Sequence, residues 1–545
     1  MMLGVLIVAD CPSSLHENAM KHSPDTIPPR RDFIKTVGVT MISSGLIRCA
    51  GADVVTSEEQ PPLTHLSATK LAHLIATGSV SAVDVAEAYL ARIEEVNPKL
   101  NAIVQIKPKQ VLAEAERADK ERRRGVPLGT LHGVPFTMKD QLLTKGMITT
   151  NGCPELKDFV PEEDATVVRR LKEAGGILLG KTNVPEMCHH AITDNVVYGQ
   201  TNNPYNTDHT PSGSSGGEAA IVAAGGSPVG IGTDIGGSIR EPSHACGITG
   251  IKPTSRRVPE TGMLGTFPPS VSHWNGVGPM ARRVEDLELI LDIISGPDGK
   301  DHHVPPVAPA NVGAVSSKEL RVAFFVDDGY SKPTDITQET VKLAADAISG
   351  EGVKVKQDRP DNFAEAQDLW LDLLIPSWAI GARYYQQEYA RLANTEVSEK
   401  RLFMTEFNIR WLDHLYATGK YSPRRHLQLE VALEKYAARM LAFMNNYDVL
   451  VCPVGNKPAG PHPDPQEIND IAYDTVWDFV KQEAGAFCMA FNVTGWPAVA
   501  VRGGTAPDGM PIGVQVVAKP WREDQAIAVA AIIEKKLGGW QPPSL

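Results

Sequence analysis

The chain has 545 residues, 42% of them hydrophobic and 22% charged, and carries a formal net charge of -12 at pH 7. That composition excludes disordered and collagen-like chains. The negative balance argues against nucleic acid as a partner, because phosphates need a basic patch to be held. The one dense basic run, 121–124 (ERRR), follows a helix-like stretch and reads as a solvated face. Seven cysteines are scattered without a C-x-x-C pair, and no H-E-x-x-H spacing occurs. Neither a zinc framework nor a disulfide scaffold is therefore expected, and no metal or cofactor is predicted. No apolar run reaches the roughly 18–20 residues of a membrane helix.

The first segment reads as an address. Arg30-Arg31 open the sequence RRDFIK, an uncharged run follows over 36–47, and Ala50-Gly51-Ala52 supply small residues. Charged region, short apolar region and small-residue site are the parts of an export signal. The arginine pair resembles a twin-arginine signal, whose pathway exports folded proteins, so a periplasmic location is expected. The alternative is a basic tail that happens to precede an apolar stretch. The signal sits far from Met1, which makes Met20 the expected start and the residues before it an over-called extension. Residues 1–52 are assigned to this signal and 53–545 to a single domain.

Within 66–96 the pattern predicts two helices: Leu71, Leu74 and Ile75 share a face, and Gly78 stops the first. Ser81 with Asp84 three residues on then opens the second as a capping box. A strand is expected over 133–139 (GVPFTMK), a helix over 165–174, and a buried strand from Ile177 after Gly175-Gly176. The Gly/Ser block 213–217 (GSSGG) precedes a helical run over 218–224, and a short strand over 229–233 follows. Strand and helix alternate up to Ile294, which predicts an α/β fold. Residues 296–318 read as a linker or long surface loop, and 320–325 as a strand. The stretch 363–444 is helical and aromatic-rich (Trp370, Trp378, Tyr384, Tyr385, Tyr389, Trp411), suited to covering a pocket or to plain core packing. The 300–450 region is accordingly read as a variable cap or insert. Two strands within 498–517 and an Ala/Ile-rich helix end the chain.

One block carries chemistry. Residues 230–242 read GIGTDIGGSIREP, and Ser238 follows two glycines that let the backbone approach a ligand closely. The N–H groups of Ile235, Gly236, Gly237 and Ser238 are natural donors to a developing oxyanion. Ser214 and Ser215 stand just before a helix start, where a hydroxyl can both donate and accept a proton. Lys139 ends the strand-like run, and serving as a base would require burial that lowers its pKa. Each piece alone has a plainer reading: GSSGG as a flexible linker, Lys139-Asp140 as a surface pair. Residues 213–217 also match G-x-S-x-G with Ser215 as nucleophile, but that elbow needs an HGGG-type partner, which is missing. No G-x-G-x-x-G supports a dinucleotide loop.

In combination, Lys139, then GSSGG, then TDIGGSIREP resemble the amidase-signature family of serine hydrolases, most densely over 211–253. KTNVPE from Lys181, YGQTNNP from Tyr198, GPMAR from Gly278 and GMPIGVQVV from Gly509 extend the resemblance. It implies a large mixed β-sheet surrounded by helices, and a Ser–Ser–Lys triad on Ser238, Ser214 and Lys139 that hydrolyses a carboxylic amide through an acyl-enzyme, with esters as side substrates. Ser215, Asp234 and Arg240 match positions that brace such a site. The match is greatest to the fatty-acid amide hydrolase branch, in which Cys188 and His189 fall at pocket-lining positions. His189, Glu241 and His244 make this neighbourhood more polar than a lipid pocket. Two other functions fit the same family: the A-type component of a glutamine amidotransferase, and a non-catalytic binding protein on this scaffold. The expected partner is a small-molecule amide, with at most a second copy of the chain in a homodimer. Nucleic acid and an integral membrane segment are not expected.

Overall fold

A computed structural model of the protein describes residues 61–265, 269–399, 421–463 and 485–545, together with 414, 417 and 418. The export segment, with Cys11 and Cys49, lies outside the described residues. The strands form one mixed sheet of eleven, in the order β1-β3-β2-β4-β6-β5-β10-β11-β9-β7-β8. These are β1 (Ile103–Ile106), β2 (Pro135–Lys139), β3 (Ile177–Thr182), β4 (Val229–Asp234), β5 (Thr249–Lys252) and β6 (Gly276–Ala281). The remainder are β7 (Arg321–Phe324), β8 (Lys354–Gln357), β9 (Val449–Pro453), β10 (Ala498–Thr505) and β11 (Pro511–Ala518). Strand β2 is parallel to both β3 and β4. From β4 to β9 the neighbours run antiparallel, and β7 returns to parallel pairing with β9 and β8.

Helix boundaries follow local chemistry. The helix Ala68–Thr77 starts at Ser67, whose side chain accepts the Lys70 N–H, and stops at Gly78 in a left-handed conformation (φ 75°). Such a φ suits glycine, which lacks a Cβ. Ser81 and Asp84 make the expected capping box for the helix Ala82–Leu100. That helix turns Val85, Tyr89, Ile93 and Val96 into the core. Part of the 300–450 segment continues the sheet, because β7 and β8 form its far edge. Strand β8 reads KVKQ and is mostly exposed, and with Val353 its alternation (VKVK) spans only four residues, a weak signal in sequence. The described part of the aromatic stretch forms the helices Glu365–Leu392 and Pro423–Phe443, which share a second core with Phe363, Phe487 and Phe491, while Trp411 lies outside the described residues. Among the described residues, no helix is long and apolar enough to cross a membrane.

The helix Gly216–Ala223 is buried on every side. Its Glu218 therefore needs partners, and finds the hydroxyls of Thr137 on β2 and Thr182 on β3 (Oγ1 to Oε2, 2.8 Å). A Cβ at Gly230 on β4 would lie 1.7 Å from Glu218 Oε1, so this residue must be glycine. Burial pushes the Glu218 carboxyl up to about 7, against the two threonines and the charges of Lys139 and Lys181. A carboxyl raised in the folded state contributes stability below its unfolded value of 4.5, and loses it as pH rises through about 7. Glu218→Gln should therefore become more stable relative to wild type between pH 4.5 and 8, by up to ~3 kcal/mol. Urea denaturation at several pH values measures this, and a pH-independent difference would contradict it.

Candidate active site

The site lies at the carboxyl ends of the parallel strands β2 and β4, where open α/β sheets commonly bind ligands. Side chains alternate across a strand, so Lys139 and Asp140 leave β2 in opposite directions. Both are fully buried. Asp140 meets Lys181 of β3 at 3.4 Å and accepts from the Thr150 backbone and hydroxyl (2.9 and 2.6 Å). Lys139 has no carboxylate partner among the described residues. Its Nζ lies 2.7 Å from Ser214 Oγ and 2.8 Å from Thr233 Oγ1. Thr233 in turn donates to Gln141 Oε1 at 2.7 Å, and Gln141 Nε2 donates to the Leu264 carbonyl. Burial lowers the Lys139 pKa below its ordinary 10.5, while the adjacent Cys188 thiol and the charges of Asp234 and Glu218 pull the other way. A buried amine among hydroxyls favours the neutral form that a base requires.

The loop after β4 winds around the Asp234 carboxylate. Oδ1 accepts the Gly237 N–H (2.8 Å) and Oδ2 the Ile239 N–H (3.1 Å). Arg240 adds two bonds, from Nε (2.9 Å) and Nη2 (2.8 Å), and Asn492 Nδ2 a third at 2.9 Å. Burial would raise the Asp234 pKa, but the Arg240 charge and these bonds hold it well below the usual carboxylate range. Arg240 is satisfied throughout, reaching the Cys488 carbonyl, Gln515 Oε1 and Asn492 Oδ1 as well. Ser238 rides on the outside of this loop. It is partly exposed where Ser214 and Lys139 are buried, and its Oγ makes no hydrogen bond among the described residues. The Ser238 carbonyl accepts the Ser215 N–H at 3.3 Å, which ties the two serine segments together. Ser215 Oγ is held at the end of β4 by the Thr233 backbone.

The structure thus gathers Lys139, Ser214, Ser215, Asp234, Ser238 and Arg240 in one place. One expectation needs correction: the Gly237 N–H is already donated to Asp234, so it is not a free oxyanion donor. The N–H groups of Ile235, Gly236 and Ser238 remain without an acceptor among the described residues. Cys188 lies beside Lys139 and Ser214, with Sγ 3.2 Å from Asn151 Oδ1. His189 stacks on Trp378 with ring centroids 4.9 Å apart, and burial with the neighbouring His190 lowers its pKa to about 3. It is therefore a neutral aromatic surface. His244 does not add polarity here, because its ring nitrogens are engaged by the Gly513 N–H (2.7 Å) and the Lys457 carbonyl (3.1 Å). Glu241 is half-buried beside Gly237, and burial with the Asp234 charge pushes it up to about 7. Thr233, Gln141, Asn492 and Trp370 complete the surroundings. Their contacts span 92 to 258 residues in sequence, so no local pattern could have singled them out.

With this geometry in place, comparison with known proteins is direct. The Amidase family model matches residues 84–527. An indoleacetamide hydrolase of Bradyrhizobium diazoefficiens is 34% identical over 88% of this chain and 87% of its own length. The A-type component of a glutamyl-tRNA(Gln) amidotransferase from Chloroflexus aggregans is 32% identical over 85% of this chain and 95% of its own. The solved structure of 6-aminohexanoate cyclic dimer hydrolase superposes with a TM-score of 0.77 at 28% identity, covering 87% of this chain and 97% of that one. The chain belongs to the Amidase family.

Removing one partner of a buried ion pair strands the other charge, which costs about 3–5 kcal/mol. Arg240→Met should destabilise the protein by that amount, read from the urea midpoint. A loss under ~1 kcal/mol would mean that the loop does not depend on the Asp234–Arg240 pair.

Proposed function

We propose that this amidase cleaves the C–N bond of a small carboxylic amide, with Ser238 as nucleophile, Ser214 as proton bridge and Lys139 as base. The observation that carries this reading is the fully buried Lys139 amine 2.7 Å from Ser214 Oγ, with the partly exposed Ser238 tied to the neighbouring Ser215 backbone. Ser238 Oγ bonds to the amide carbon as its proton passes to Ser214, whose own proton moves to Lys139. The carbonyl oxygen gains the negative charge and is met by the N–H groups of Ile235, Gly236 and Ser238. The intermediate collapses, the C–N bond breaks, and the proton held on Lys139 returns through Ser214 to the leaving amine. Water then attacks the ester on Ser238 by the same relay, releasing the acid and restoring the serine. Apo geometry at such sites is often looser than in the reacting complex, which accommodates the unbonded Ser238 hydroxyl.

Aromatic acyl groups are the favoured substrates, supported by the likeness to indoleacetamide hydrolase and by the neutral His189–Trp378 stack beside the site. A panel of arylacetamides, anilides, short and long acyl amides and amino-acid amides tests this. Preference for long acyl chains over arylacetamides would overturn the aromatic assignment. Ser238→Ala should lose ~10⁴-fold or more in kcat with the fold intact. In wild type, kcat/KM should rise with pH and reach half its plateau below 10.5, because Lys139 acts only when neutral and its pKa is lowered. Lys139→Ala should lose that limb and suffer more on amides than on esters, whose leaving group needs less protonation. Equal losses on both would contradict the relay.

The likeness to the A-type components of amidotransferases favours a second reading, in which the chain supplies ammonia to a partner. Export by the twin-arginine route, supported by the RRDFIK segment, separates the two. A periplasmic protein that purifies alone agrees with a free amidase, and a cytosolic protein tightly bound to a second polypeptide agrees with the amidotransferase.

A further inference from the structure

Two consecutive peptide units lead into Ser238, and side chains from distant parts of the chain hold the carbonyl of each. Asn492 Nδ2 donates to the Asp234 carbonyl at 3.2 Å. Trp370 Nε1, from the helix Glu365–Leu392, donates to the Ile235 carbonyl at 2.8 Å. In a planar trans peptide the C=O and N–H point in opposite directions. Fixing the Asp234 carbonyl therefore fixes the Ile235 N–H, and fixing the Ile235 carbonyl fixes the Gly236 N–H. Both N–H groups are without an acceptor among the described residues, and Gly236 is partly exposed. The indole also leaves no space at Gly236, where a Cβ would lie 2.5 Å from Trp370 Cζ2. Trp370 itself is 6% exposed and sits edge-to-face against Trp378 at 5.4 Å, so its ring cannot swing away.

We infer that Trp370 is a positioning residue for amide hydrolysis, aiming the Gly236 N–H at the oxyanion by holding the Ile235 carbonyl. This role rests on the proposed Ser238 chemistry. The Trp370 indole N–H is spent on the backbone, so it is not the donor that meets the substrate. The aromatic helix thereby sets the electrostatics of the reaction as well as packing beside the site. A donor held in place costs no reorganisation as charge develops, which is where such groups gain their effect. Gly236, free to rotate about its N–Cα bond once the Ile235 carbonyl is released, would otherwise let that peptide unit sample orientations that miss the oxyanion.

The test removes one hydrogen bond and keeps the shape. Trp370 is replaced by benzothienylalanine, in which sulfur takes the place of the N–H, and separately by Phe. Hydrolysis of phenylacetamide is measured together with binding of phenylboronic acid, which mimics the tetrahedral adduct on serine, and of phenylacetate as a ground-state ligand. The benzothienylalanine protein should lose roughly 10–100-fold in kcat with KM within about twofold. Its boronate affinity should fall in parallel, while phenylacetate binding and the melting temperature stay unchanged. Unaltered kcat and boronate affinity in this variant would overturn the role of Trp370 and leave the amidase reading intact. An equal loss for boronate and phenylacetate would also overturn it, since that is the signature of a packing contact. A wild-type protein that neither hydrolyses amides nor binds boronate would overturn both readings. Trp370→Phe, which removes packing and donor together, should fall at least as far in kcat, and a smaller loss than the isostere would again contradict the inference.

Discussion

The buried carboxylate of Asp234 is the interaction on which the rest of the site depends. A charge removed from water must be paired and hydrogen-bonded, or it destabilises the fold. Asp234 meets that requirement by gathering the loop that follows it: three backbone N–H groups, the Arg240 guanidinium and the Asn492 amide all point at one side chain. Having turned inward to satisfy the carboxylate, the loop must place its remaining groups outward. Ser238 and the unengaged N–H groups beside it are what that leaves on the open side. The same demand explains why Arg240 reaches Gln515 and the Cys488 carbonyl, stitching the loop to β11 and to the segment before the helix Met489–Val493.

A second contrast lies in β2, where neighbouring residues have opposite fates. Asp140 and Lys181 neutralise each other on one side of the strand. Lys139, on the other side, is surrounded by the hydroxyls of Ser214 and Thr233. A buried lysine with a carboxylate partner would hold its proton and serve as structure. One that meets hydroxyls and a thiol but no carboxylate is relieved of its charge by burial, which suits the base proposed here.

The helix Glu365–Leu392 connects to the site through two of its aromatic residues. Trp378 backs His189, and Trp370 bonds to the loop that carries Ser238. Such an arrangement links the wall beside the site to the geometry of the loop without passing through the sheet.

The sequence by itself determined the elements whose signals are local. Ser67 and Ser81 with Asp84 marked helix starts, Gly78 marked a stop, and apolar runs at 133–139 and 177–179 marked buried strands. It also determined the family and most of the candidate site, because the segment from Gly213 to Pro242 carries Ser214, Ser215 and Ser238, their glycines and the bracing Asp234 and Arg240 within thirty residues. Short exposed strands such as β8 escaped, because an alternation of only four residues (353–356, VKVK) is too brief to stand out. Tertiary structure alone decided whether Lys139 was buried, since Lys139-Asp140 has the composition of a surface pair until β3 and β4 enclose it. It decided also that the Gly237 N–H belongs to Asp234, that His244 serves the backbone, and that Trp370 and Asn492 hold the loop. In each case the deciding partner is a backbone turn or a side chain far off in sequence, and only folding brings it within hydrogen-bond range.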